Sequence, residues 1–105
     1  MNFTFHQLKI FLEVARKQSV TKAAEEMYMT QPALSIQLRN FQNQFNVALY
    51  EKIGKRIYLT DFGESIAAVA ENILKEAEAL KYKTKEYEGL LTGKLRISSA
   101  STGKY

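Results

Sequence analysis

Gln31, Ser35 and Arg39 recur at i, i+4 and i+8, with Thr30, Pro32 and Ile36 interleaved among them. On a helix Gln31, Pro32, Ser35, Ile36 and Arg39 share one side, with Thr30 capping the helix ahead of them, and their chemistry is recognition rather than bond-making. A glutamine amide donates and accepts together, which is what adenine N6 and N7 require, and a guanidinium suits a guanine edge or a phosphate. Thr30 can touch a phosphate while capping a helix, and Ser35 is short enough to let the backbone approach one. Pro32 and Ile36 offer apolar contact to a thymine methyl. Ile36 is the sharpest of these, because an isoleucine opposite a buried stripe has no core of its own to join. Gln31 also reads as a solvated first-turn glutamine and Arg39 as half of a surface ion pair, but their places on the helix put the contact first for both. Together they form a polar face free of acid. A second cluster, Lys55 and Arg56 beside Gly54, is a basic tip able to lie along phosphates or to follow the negative potential of a minor groove.

Catalytic chemistry finds no comparable set. His6 is the one histidine and there is no cysteine, so neither a nucleophile pair nor a metal-ligand set can be assembled. Asp61 and Glu64 are explained as acids in the first turn of a helix, where the dipole favours them. Neither G-x-G-x-x-G nor G-x-x-x-x-G-K-[ST] is present. The segment reads as a non-enzyme with no cofactor and no metal.

The elements that must hold the polar face can be drawn from periodicity. Thr4 and Gln7 make an S/T-x-x-E/Q capping box opening a first helix over residues 5–17. Its buried stripe is Leu8, Phe11, Leu12 and Ala15, widened by Ile10 and Val14. A short Ala-rich second helix is expected over residues 21–27, with Thr21 as its N-cap and Ala23 and Ala24 allowing close packing. The third helix, residues 31–45, has Thr30 as N-cap, Pro32 in its first turn and a buried stripe of Leu34, Leu38, Phe41 and Phe45. Its other side carries Gln31, Pro32, Ser35, Ile36, Arg39 and Asn43. Asn46 is expected to end it in the left-handed conformation. Two helices joined by a tight turn, the second presenting such a face, form a helix-turn-helix, which a DNA major groove admits.

Residues 49–60 then place β-branched and aromatic residues on both sides of Gly54-Lys55-Arg56, predicting a hairpin with a basic tip. The fold class is therefore mainly α: a winged helix-turn-helix, three helices plus a β-hairpin wing, followed by a long helix. Thr60 is placed to cap that helix. Ile66, Ala70, Ile73, Ala77, Leu80, Thr84, Tyr87 and Leu91 follow alternating four- and three-residue steps, a heptad stripe. At 1.5 Å per residue the helix would be about 45 Å long, more apolar stripe than the rest of a small chain can cover. A second copy is the expected cover, through Ile66, Ala70, Ile73, Ala77, Leu80, Tyr87 and Leu91, although near Phe62 and Ile66 the stripe is expected to pack on its own first helix. After Gly93 the pattern alternates as a strand would. This divides the chain into a DNA-binding domain at 1–63, a linker and dimerisation helix at 64–93, and the first strand of a truncated second domain at 94–105.

Composition agrees. The 105 residues carry a net charge of +4, unevenly spread. Residues 1–63 hold eight Lys/Arg against five Asp/Glu, residues 64–93 four against six, and residues 94–105 three against none. A basic front suits a polyanion. The absence of cysteine fits a reducing cytosol, and no apolar run is long enough to span a bilayer, so a cytoplasmic protein with no membrane partner is expected.

The ordered combination of Gln7-Leu8, Phe11, Val14-Ala15, Ser19, Ala23-Ala24 and Met27 with TQPALSIQL at 30–38 and LYEKIGKRIYLTDFG at 49–63 resembles the N-terminal domain of LysR-type transcriptional regulators. The resemblance implies a winged helix-turn-helix on a linker helix that pairs in a homodimer. It also implies that the truncated second domain at 94–105 is an effector-binding domain that takes a small molecule, and that the full-length protein is commonly a tetramer. Such regulators bind interrupted inverted repeats in promoter DNA, and RNA polymerase is a further candidate partner. By position, Thr30, Gln31, Pro32, Ser35 and Arg39 fall where the family faces DNA, and Lys55 at the wing tip. Ile36 stands where relatives usually have Arg, Lys or His. Phe41-Gln42 replaces a usual Leu-Glu, Phe45-Asn46 a usual Leu-Gly, and Tyr50-Glu51-Lys52 a usual Phe-x-Arg. The final STGKY is similar to the effector-domain opening of relatives that regulate carbon-fixation operons. The other reading of the fold is a winged helix that docks a protein, which would show more aromatic or aliphatic residues on the third helix.

Overall fold

The computed structural model describes the backbone of residues 1–95 and the side chains of residues 1–90. Helix α1, Phe5–Lys17, starts as predicted. The Thr4 hydroxyl accepts from the Gln7 amide N–H at 3.0 Å, and the Gln7 side chain accepts from the Thr4 N–H at 3.1 Å. It ends at Gln18, whose left-handed backbone (φ 56°) lets its N–H donate to Val14, with Arg16 and Lys17 placed favourably at the negative end of the dipole.

Helix α2, Val20–Glu26, begins one residue before the sequence places it, and Thr21 is not its cap. Ser19 has the extended backbone a cap needs and accepts from Lys22 N–H at 3.1 Å. Thr21 is already inside the first turn, where its own hydroxyl cannot serve the orphan donors ahead of it. A turn through Met27 and Tyr28 (φ 55°) leads to α3, Gln31–Gln42. There the prediction of Thr30 as N-cap and Pro32 in the first turn holds, with Thr30 accepting from Ala33 N–H at 3.3 Å.

Helix α3 is a turn shorter than predicted. It ends at Gln42, and Asn46 does not adopt the left-handed conformation, which among the non-glycine residues described belongs only to Gln18 and Tyr28. The reason lies in the Gln42 amide. Its nitrogen donates to the Val47 carbonyl at 3.1 Å and its oxygen accepts from Leu49 N–H at 2.7 Å, so one side chain holds the loop to the hairpin. A glutamate there could only accept, which gives a physical meaning to Gln42.

Strands β1, Tyr50–Ile53, and β2, Arg56–Leu59, pair antiparallel with Tyr50 opposite Leu59 and Ile53 opposite Arg56. The two-residue connection puts Gly54 at φ 65°, a turn position that glycine adopts without steric cost. Ile57 N–H donates to the Gln18 carbonyl and seats β2 on the end of α1. Helix α4, Asp61–Leu95, follows at once, with Thr60 accepting from Gly63 N–H and donating to the Ala48 carbonyl. It continues through Lys94 and Leu95, past the predicted boundary at Gly93. The remainder of the expected strand, residues 96–105, lies outside the described residues.

The chain forms two units, Met1–Leu74 and Lys75–Tyr105. The core of the first joins Leu8, Ile10, Phe11 and Val14 to Ala23, Ala24, Leu34, Leu38, Phe41, Leu49, Ile57 and Ala70. Through it runs a relay of rings, Phe11 to Phe41 to Phe45 to Phe62, with centroids 5.4, 5.2 and 5.7 Å apart. Aromatic pairs at such spacing add about 0.5–1.5 kcal/mol each beyond burial. The relay ties α1, α3 and the start of α4 together, and so sets the attitude of α3.

Candidate nucleic-acid interface

With Leu34, Leu38 and Phe41 committed to the core, α3 turns its other side to solvent. Gln31, Pro32, Ile36, Arg39 and Asn40 are exposed and Ser35 is half-buried. The Ile36 side chain, 48% exposed, sits among these polar groups with no core neighbours to satisfy it. Thr30 stays exposed while capping. At the hairpin tip Lys55 and Arg56 are both exposed, and neither is in any ion pair among the described residues. Arg39 is likewise unpaired, so its reading as half of a surface ion pair falls away.

The α3 face and the wing are linked at Tyr50. Burial pushes the Tyr50 phenol above its ordinary value, and the positive charge of Arg39 opposes this. The shift has a consequence for stability. An unfolded tyrosine ionises near pH 10, while folded Tyr50 holds its proton to higher pH. Its contribution is fully present below about pH 10 and is lost as pH rises through the folded value. Tyr50→Phe should therefore soften the alkaline fall in stability, read as the difference between urea-unfolding midpoints at neutral pH and just above about pH 10. An identical alkaline fall in both proteins would rule out Tyr50 as a contributor.

The heptad stripe divides between the two units. Ala70 is 1% exposed within the core of the first, and Ile66 and Ile73 pack against that core. The assignment of Ala70 to a face covered by a second copy is thus corrected outright and that of Ile73 in part, while Ile66 packs on the chain's own core as the start of the stripe was expected to do. The first turns of α4 pack against the chain's own core. In the second unit Ala77 is half-buried and Leu80 is 70% exposed, with Tyr87 also turned outward. Thr84, the polar member, donates to the Leu80 carbonyl of its own helix. The Leu91 side chain lies outside the described residues.

Sequence reading missed Gln37. It is half-buried on the flank of α3 and accepts from the Gln7 side chain across 3.1 Å. The signal available was only that Gln7 is a polar residue at the edge of the α1 stripe. Among the described residues no group of three His, Cys, Asp or Glu could hold a metal, and no helix is long and apolar enough to cross a membrane.

Residues 5–64 match the model of the lysR family of bacterial regulatory helix-turn-helix proteins. The chain is 40% identical over 104 residues to the HTH-type transcriptional activator CmpR of Synechocystis sp., covering 99% of this chain and 34% of that protein. It is 43% identical over 102 residues to a RuBisCO operon transcriptional regulator of Acidithiobacillus ferrooxidans, covering 97% and 33% respectively. The chain thus spans about a third of the length of these relatives. Among solved structures it is similar to the CbnR DNA-binding domain in complex with DNA, at TM-score 0.75 and 27% identity over 80% of this chain and 97% of that one. It is also similar to Vibrio fischeri DarR in complex with DNA, at TM-score 0.78 and 28% identity over 86% and 31%.

Proposed function

Because this chain belongs to the lysR family of bacterial regulatory helix-turn-helix proteins, we propose that it is the DNA-binding part of a transcription regulator. It reads promoter DNA by laying α3 in the major groove. The observation that carries this reading is the acid-free exposed face of α3 beside an unpaired basic hairpin tip. Gln31 and Arg39 address base edges, Ile36 and Pro32 press on thymine methyls, and Thr30 and Ser35 meet phosphates. Phosphate contacts set register while base contacts carry sequence. A protein-docking winged helix would present an apolar face there, and Ile36 alone does not make one.

One such domain buries too little surface to select a promoter. Two copies, joined through Ala77, Leu80, Tyr87 and Leu91 of α4, present two recognition helices to successive major grooves about 34 Å apart. The corresponding site is an interrupted inverted repeat. Control by a small-molecule effector belongs to the longer protein and reaches this segment through α4, with RNA polymerase the further partner and the cytoplasm the compartment. The likeness to regulators of RuBisCO operons supports a carbon-fixation operon as the target.

Binding-site selection from a random duplex library, repeated at several salt concentrations, tests the reading. Enrichment of an inverted repeat with a steep salt slope is the expected result. Weak, salt-insensitive binding without enrichment would overturn it. Within the same assay Lys55→Ala and Arg56→Ala should each weaken binding to all sequences and lower the salt slope by about 1 per chain. A changed base preference at unchanged slope would instead assign those side chains to base reading.

A further inference from the structure

We propose that Gln37 is a phosphate-contacting residue, aimed by Gln7 through a relay of amides that fixes which end of Gln37 faces the DNA. The inference rests on the DNA reading above and adds to it a contact with a defined polarity.

The donor and acceptor capacity of each group fixes the polarity. The Thr4 backbone N–H can only donate, so the atom of Gln7 that meets it at 3.1 Å must be the carbonyl oxygen. That leaves the Gln7 NH2 on the other side, where it lies 3.1 Å from the Gln37 side chain. The Gln37 atom it meets must accept, and is therefore Oε1. The Gln37 NH2 is then turned away from α1 and is bonded to no other group among the described residues. No choice of amide orientation at either glutamine is free once the Thr4 N–H is in place. Gln7 is 7% exposed, so an amide flip would set a buried N–H against an N–H, at the cost of an unmade hydrogen bond.

Gln37 stands where such a donor is useful. It lies at the border between the core stripe of Leu34, Leu38 and Phe41 and the exposed flank of Ala33 and Asn40, one turn away on either side. A helix lying in a groove points its centre at bases and its flanks at the two backbones. A group presenting donors only, on a flank, suits a phosphate oxygen, which only accepts. An adenine edge needs a donor and an acceptor side by side, and the Gln37 oxygen is held toward Gln7.

The test uses the duplex selected above, with each phosphate near the α3 flank replaced singly by methylphosphonate, which removes the charged acceptor. One position should weaken the unaltered chain about tenfold, as expected for a hydrogen bond to a charged group, and leave Gln37→Ala unaffected. Gln7→Glu is the polarity test. A carboxylate still accepts from Thr4 N–H but must also accept from Gln37, which turns the Gln37 oxygen outward. Gln7→Glu should therefore lose about the same factor at that phosphate, and should cost little further in the Gln37→Ala background. Equal sensitivity of the unaltered chain and Gln37→Ala at every phosphate, with normal duplex binding, overturns this assignment alone. Equal losses from Gln7→Glu with and without Gln37 overturn the relay. Failure of the unaltered chain to bind any duplex would overturn the DNA reading and this contact with it.

Discussion

Gly63→Ala should cost the winged domain on the order of 3 kcal/mol or more, the upper end of what overpacking usually costs. Gly63 is buried in the first turn of α4, and a methyl group there would run into the Leu49 carbonyl. Such a clash is cheap when the obstacle is the end of a flexible side chain. Here it is backbone, and backbone that is pinned. Leu49 N–H donates to Gln42 at 2.7 Å, and its carbonyl accepts from Thr60 N–H at 3.0 Å. Moving Leu49 would break the bond that ties α3 to the hairpin and the bond that closes the hairpin onto α4. A domain of this size has only about 5–15 kcal/mol of stability in all. Gly89 supplies the control, since it sits in the same helix with open space around its missing Cβ. Gly89→Ala should stabilise by about 0.5–1 kcal/mol, the ordinary helix preference for alanine. Urea unfolding of both variants decides the matter. If Gly63→Ala unfolds within about 0.5 kcal/mol of the parent, as an uninvolved surface change would, the pinning argument is wrong.

The second large effect concerns DNA. Gln31→Ala should weaken the selected site by about 1–3 kcal/mol per half-site, the worth of a good bidentate base contact. Two half-sites add roughly when they are well separated. The loss should be confined to cognate sequences, with binding to unrelated duplex and the salt slope unchanged, because Gln31 carries no charge. Repeating site selection with the variant should show relaxed preference at one position of each half-site. A uniform loss across all sequences would mean that Gln31 touches phosphate rather than a base. It would also move the burden of reading sequence to Arg39 and Ile36.

The exposed face of α3 and the hairpin tip were legible to different depths at different residues. Thr30, Gln31, Pro32, Ile36 and Arg39 were readable because helical periodicity sorts a face from a stripe using residue type alone, and the exposed and buried sides of α3 followed that sorting. Lys55 and Arg56 were readable because glycine between two β-branched runs marks a turn. Gln37 was not. Its meaning depends on Gln7, 30 residues away, and periodicity carries no information about what a helix flank will meet. Gln42 was noticed as a departure from a usual glutamate, but its purpose, holding both Val47 and Leu49, existed only once the loop had folded against it.

The boundary errors share one cause. Ser19 and Thr21 are both good caps by type, and choosing between them depends on which backbone is extended, a property of the turn after α1 rather than of either residue. Asn46 was a reasonable terminator, yet α3 stopped earlier because Gln42 found partners in the loop. The start of the heptad stripe was expected to pack on its own chain near Phe62 and Ile66, but the core reaches further along it than periodicity could tell. Ile66, Ala70 and Ile73 lie near enough to the core to be claimed by it, while Leu80 remains exposed.

By itself, then, the sequence determined the family, the order of elements, the acid-free face of α3 and the basic tip, because each follows from local residue chemistry and its period. Tertiary structure alone decided the cap of α2, the end of α3, the glycine that must stay glycine at position 63, the amide relay from Thr4 to Gln37, and which residues of the stripe the core claims. The approach of Gly63 to Leu49, the bond from Gln7 to Gln37 and the core's claim on α4 join segments distant in sequence, and the two helix ends depend on how the adjoining loop has folded; neither has a period to read.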